Sequence, residues 1–274
     1  MRIRSFAQRH PLSLYFVFAF GIAWIGCLAV AGPKLMRHEV VGMSDALLMF
    51  FAMLAGPSVS GIGMTALVDG RAGLRDLWAR MRRWRVGAGW YAVAALLPPA
   101  LILAVLLVLS VTVSPEYAPG FVALGFVIGL MAGFFEEIGW TGYAYPRMEQ
   151  RYGALFAAVF LGLLWSTWHV VADYSATSGT LGAYWFPHFL AFMTISMTAM
   201  RVLISWVYCN TRSVLLAQIM HTSSTGFLAV LSPVALSPAD DTQWYAVYGA
   251  VLWLAVVFVL ARYGNDLMRK VVTA

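Results

Sequence analysis

Eight runs of predominantly apolar residues follow one another along the chain, at 12–31, 46–68, 89–113, 120–143, 154–172, 183–208, 213–231 and 244–261. A hydrocarbon core of roughly 30 Å needs about 20 apolar residues in a helix, so each run predicts one membrane-crossing helix. The stretches between them are short, and no repeat, low-complexity tract or Ser- or Pro-rich linker interrupts the series. The expected fold class is all-α: a polytopic membrane helix bundle of about eight transmembrane helices. Residues 1–274 then form a single integral membrane domain. Gly56-Pro57 and Pro98-Pro99 are candidate kinks inside the second and third runs.

Composition points the same way. Of 274 residues 61% are hydrophobic and only 11% are charged, whereas soluble domains carry roughly 25% charged residues. So few charges cannot cover a water-facing surface of this size. A soluble globule, a disordered chain and a disulfide scaffold are all excluded. Cys27 and Cys209 fall in apolar segments without a CxxC partner and read as packing residues.

The formal net charge is +6, and its distribution separates a nucleic-acid surface from a topology signal. Fifteen of the eighteen Lys and Arg residues lie in the two tails and in alternate loops: Arg2, Arg4 and Arg9, six arginines between Arg71 and Arg85, then Arg147, Arg151, Arg212, Arg262, Arg269 and Lys270. The opposite loops hold only Lys34 and Arg37, and Arg201 lies inside the sixth run toward the basic side. Positive charge is retained in the cytoplasm. The expectation is a multi-pass plasma-membrane protein with both termini cytoplasmic, in contact with the lipid bilayer and with no nucleic acid. The segment from Arg71 to Arg85, with Trp78 and Trp84, reads as an amphipathic stretch on an anionic leaflet. The first run and its Ala29-Val30-Ala31 triplet imitate a signal peptide, but an apolar run of about 20 residues exceeds the 7 to 15 of a cleaved signal, so a retained helix is expected.

Two acidic residues lie adjacent inside a run, Glu136 and Glu137 in Phe134-Phe135-Glu136-Glu137-Ile138-Gly139-Trp140. An ionisable group in the membrane costs at least about 2.5 kcal/mol, and neighbouring carboxylates repel each other, so something must offset the pair. A structural ion pair with Arg201 or Arg147 is one reading, and a reaction centre or ion pathway is the other. His169 and His221 lie inside further runs, with Trp165 and Thr225 at helical i, i+4 spacing from them. A bundle can converge such faces on one pocket. The set suffices for amide hydrolysis: a carboxylate activates water, and imidazoles orient it, stabilise the oxyanion or bind zinc. Glu136, His169 and His221 are the metal candidates, with zinc undecided because no HExxH helix is present.

At these residues the chain resembles the CPBP, or Abi, intramembrane proteases, relatives of the CAAX prenyl endopeptidases. Glu136-Glu137-Ile138-Gly139-Trp140-Thr141 is similar to their Glu-Glu-x-x-x-Arg motif, Trp165 to His169 to the aromatic-x-x-x-His motif, and His221 to Thr225 to the His-x-x-x-Asn motif. The likeness covers roughly residues 120–230, the expected protease-like core. It implies that Glu136 activates water, that Glu137 assists or shuttles the proton, and that His169 and His221 position water or the oxyanion, with Thr225 as a weaker hydroxyl donor where the relatives have Asn. Thr141 stands where the family has Arg, so a guanidinium is missing from the motif.

The expected function is an intramembrane endopeptidase acting on a membrane-associated protein or peptide near the cytoplasmic half of the bilayer. Alternatives are a catalytically inactive scaffold or immunity-type protein and a proton-coupled transporter. His188 reads as an interfacial residue, His10 and His38 as tail and loop residues, and Asp173 as a helix-end residue or an orienter of His169. One mismatch remains at this stage. His169 lies about 22 Å from the start of the fifth run, too deep to meet a Glu136 placed near the basic side, so that helix is expected to begin earlier, near Arg151.

Overall fold

The computed structural model describes residues 2–37 and 39–268, so His38, Arg269 and Lys270 lie outside the described residues. Every element among them is helical. In chain order they are α1 (Arg2–Arg9), α2 (Pro11–Met36), α3 (Met43–Val68), α4 (Gly70–Met81), α5 (Ala88–Thr112), α6 (Leu124–Gly139), α7 (Tyr145–Tyr152), α8 (Ala154–Leu181), α9 (Trp185–Phe189), α10 (Met197–Thr211), α11 (Val214–Val230) and α12 (Pro238–Tyr263). Single π-helical turns join α6 to α7 (Trp140–Ala144) and α9 to α10 (Leu190–Ser196).

Six segments are long and apolar enough to cross a membrane. One of them, Ala154–Thr211, has 58 residues; it turns at Gly182, whose φ of 54° a side chain would resist, and α8 and α10 then pack against each other. Dividing this hairpin and adding the shorter apolar helix α11 recovers the eight runs read from the sequence. The signal-like triplet lies inside α2, which continues unbroken to Met36.

The bounds move at the ends. The eighth segment starts at Pro238, not 244, because the Ser237 hydroxyl caps it by accepting from the Asp240 N–H at 3.2 Å and two aspartates occupy its first turn. The fifth runs to Leu181, not 172, and starts at Ala154 after Gly153 (φ 82°), not near Arg151. The fourth does not stop at 143: through the π turn it continues to Tyr152. That extension removes the depth mismatch. Glu136 lies sixteen residues, about 24 Å, from the end of this helical path, close to the 22 Å of His169 from Ala154.

The first and last described segments lie at the arginine-bearing end of the bundle. Gln8 Nε2 of α1 donates to the Val68 carbonyl at 3.1 Å, and the Leu155 N–H bonds Asn265 O at 3.1 Å. Amphipathic α4 covers the same end, with Leu77 buried and Trp78 exposed. At the centre, Gly125, Gly129 and Gly133 form a stripe on α6 against α11. A methyl group at Gly129 would overlap Gly226 and the Thr222 carbonyl, so the two backbones touch.

Candidate active site

The closest helix pair carries the site. Glu136 and Glu137 end the regular part of α6, and His221 projects from α11 opposite them. Successive helical residues point about 100° apart, and the two carboxylates accordingly have different partners. Glu137 is fully buried, and its oxygens accept from Arg201 Nη1 at 2.9 Å and Nη2 at 2.8 Å. The Thr141 hydroxyl donates to the same carboxylate, and His221 Nδ1 stands 2.8 Å from its Oε1. Glu136 Oε2 accepts from two indole N–H groups, Trp165 at 2.9 Å and Trp140 at 3.2 Å.

Glu136 lines a cavity of about 420 Å³ together with Trp165, His169, His221 and Thr225. His169 Nδ1 lies 2.9 Å from the Trp165 carbonyl, one turn back on α8. Since that carbonyl and the Glu137 carboxylate only accept, both imidazoles carry the proton on Nδ1 and leave Nε2 as the unengaged ring nitrogen. The remaining lining is mainly apolar and rich in methionine, with Met49, Met53, Met193, Met197 and Met200. One carboxylate and two imidazoles in a mostly apolar hollow are the parts of a general-base hydrolytic site.

Several expectations change. Glu137 does not line the cavity with the other three; it forms an ion pair with Arg201, while Glu136 lines the cavity. Arg201 is fully buried in α10, where an isolated guanidinium would be untenable without a carboxylate. Arg147, the other candidate partner, pairs with Asp69 and stacks on Tyr143 with its guanidinium 3.7 Å from the ring centre. The guanidinium missing at Thr141 is therefore present, supplied from another helix. His188 is buried, with Nε2 3.1 Å from Asp241 in the first turn of α12. Asp173 is not at a helix end: it lies eight residues before the end of α8 and accepts from Trp185 Nε1 at 2.8 Å.

Sequence reasoning named Arg201 only as one of two candidate partners, and it missed the indoles of Trp140 and Trp165 as donors to Glu136 and the glycine stripe. A signal existed for each. A lone intramembrane arginine demands a carboxylate inside another span, Trp140 lies at i+4 from Glu136, and glycines at 125, 129 and 133 repeat every fourth residue. As for zinc, no three His, Cys, Asp or Glu side chains are grouped as metal ligands would be among the described residues. Glu136, His169 and His221 are therefore not grouped as a ligand set.

Beside known proteins, residues 118–227 match the family model described as type II CAAX prenyl endopeptidase Rce1-like. The CAAX prenyl protease 2 of Methanococcus maripaludis is 31% identical over 133 residues, covering 47% of this chain and 46% of the relative. The chain thus spans about half the length of the curated relative it matches. The matched stretch contains all three motifs.

Proposed function

From a chain that shares the core of the CAAX intramembrane proteases, we propose an intramembrane endopeptidase in which Glu136 activates the hydrolytic water. The observation that supports this most is the division of labour between adjacent carboxylates: Glu137 is neutralised by Arg201, and Glu136 alone faces the cavity beside two imidazoles.

In this reading Glu136 takes a proton from water as its oxygen attacks the carbonyl carbon of the scissile bond. His221, held by Glu137 through Nδ1, presents Nε2 as an acceptor to the other hydrogen of the attacking water and so orients it while the C–O bond forms. Collapse of the tetrahedral intermediate breaks the C–N bond, and Glu136 returns the proton to the leaving amine. His169 orients the water from the other side of Trp165, and Thr225 adds one hydroxyl donor at the cavity wall. Clustering of the basic residues at one end supports placement in a plasma membrane with both termini cytoplasmic.

The test is cleavage of a fluorogenic apolar peptide by purified, reconstituted protein, with Glu136→Gln and His221→Ala beside wild type. Glu136→Gln should lose at least 1000-fold in kcat while keeping the thermal midpoint, since a neutral amide of the same size still fits. Equal rates in all three proteins would refute the mechanism. An inactive wild type would favour the scaffold alternative.

A further inference from the structure

The cavity occupies only one half of the bundle. On α3 its lining runs from Ala46 to Met53, stopping fifteen residues before Val68 at the arginine-bearing end. On α11 it starts at His221 and runs to Ala229, with Ser232 just past the helix end, and on α12 it is confined to residues between Tyr245 and Leu252. In each case these are the turns remote from the arginines. Glu136, Trp165 and His221 form the floor, and the exposed Ala176 and Ser232 lie at the rim.

The other side is closed. Tyr15, Trp140, Tyr143 and Tyr145 are fully buried between the carboxylates and the basic end. Tyr15 stacks on Tyr143 with ring centres 5.1 Å apart and meets Trp140 edge-on at 5.8 Å. Outside this layer, Arg80 of α4 donates to the Gly142 carbonyl at 3.0 Å and Leu77 packs on Gly142. No route for a peptide runs through that stack without unpacking it.

We propose that the substrate enters from the face opposite the arginine-rich one, which places it on the extracytoplasmic side: an exported or outer-leaflet-anchored peptide with an apolar segment, not a cytosolic protein tail. This rests on the peptidase reading above and departs from the expectation of cleavage near the cytoplasmic half. From His169 to Ala176 the wall rises about 10 Å, and from Glu136 to the start of α6 about 18 Å. An extended chain at about 3.4 Å per residue fills that depth with three to five residues. The five methionines accept varied apolar side chains, because an unbranched thioether adapts its shape.

Two readouts separate this inference from the peptidase reading. The first needs no activity. In intact cells a membrane-impermeant maleimide should label Ser232→Cys, and should label Arg75→Cys only after permeabilisation; the native Cys27 and Cys209 are buried. The reverse pattern would overturn the proposal. The second uses an apolar fluorogenic peptide carrying a charged, impermeant tag. Cleavage by right-side-out vesicles, abolished by Glu136→Gln, supports it, and cleavage only by inside-out vesicles overturns it while leaving the peptidase intact. If detergent-solubilised protein cleaves nothing, the peptidase reading fails, and the labelling still decides which face the cavity meets.

Discussion

The Arg201 guanidinium lies 4.3 Å from the ring centre of Trp165, and the same indole donates its N–H to Glu136. One aromatic side chain therefore touches both the cation that neutralises Glu137 and the carboxylate proposed as base. The charge-neutral pair and the reactive carboxylate are separated by a single flat, apolar wall with a polar edge. That arrangement makes the contributions of the two glutamates experimentally distinguishable.

Arg201→Met should destabilise strongly, by about 3–5 kcal/mol, because it leaves Glu137 buried and uncompensated. The double variant Glu137→Gln/Arg201→Met should recover much of that loss, since neither charge is then buried. Thermal unfolding in detergent checks this. A double variant no more stable than Arg201→Met would show that the pair is not the main partner of either residue.

Trp165→Phe retains a ring beside Arg201 but deletes the donor to Glu136. A hydrogen bond to a charged group is worth about 1.5–3 kcal/mol, so kcat/KM should fall roughly 10- to 100-fold if the carboxylate must be held in place. Trp140→Phe should cost less, its bond being longer at 3.2 Å. Steady-state rates that do not distinguish the two variants would count against Glu136 being oriented by these indoles.

Gly129→Leu should separate α6 from α11, lowering the thermal midpoint and activity together, because the new side chain meets backbone and not a movable side chain. Gly63→Ala is the matched control: open space surrounds it, and helix propensity favours alanine by up to about 1 kcal/mol. Equal behaviour of the two would mean that the helix pair tolerates separation.

Dialysis against a strong chelator should leave cleavage unchanged, because a reaction run by Glu136 and two imidazoles has no metal to lose. Activity that disappears on chelation and returns with added zinc would identify a ligand set other than the one examined at Glu136, His169 and His221.

Much of this was legible in the residues, and the limits have physical causes. Apolar run length gives the helices, because the bilayer imposes both length and internal hydrogen bonding. Glu136, His169 and His221 stand out since each is a costly group in an otherwise apolar run. The roles of Glu136 and Glu137 could not be told apart in one dimension, because what separates them is Arg201, sixty-four positions along the chain and on another helix. Thr141 suggested a missing charge for the same reason: a motif records which side chains are neighbours in sequence, while neutralisation depends only on distance in space. The bounds at 143 and 172 fall short of Tyr152 and Leu181 because polar residues at helix ends resemble loops until their caps and ion pairs are seen.

The π turn at Trp140–Ala144 sets the phase of one long helical path. A π turn holds an extra residue relative to an α turn, so the face presented before it and the face presented after it are offset by about 100°. Upstream, the glycine stripe meets α11; downstream, α7 lies against α8. A single continuous rod thus docks on different neighbours at its two ends, and the residues at the offset are those immediately following the carboxylate pair. Deleting one residue there would be a rotation, not a local defect: it would turn the arginine-bearing portion of the rod as a block and carry Tyr145 and Met148 away from the surfaces they fit.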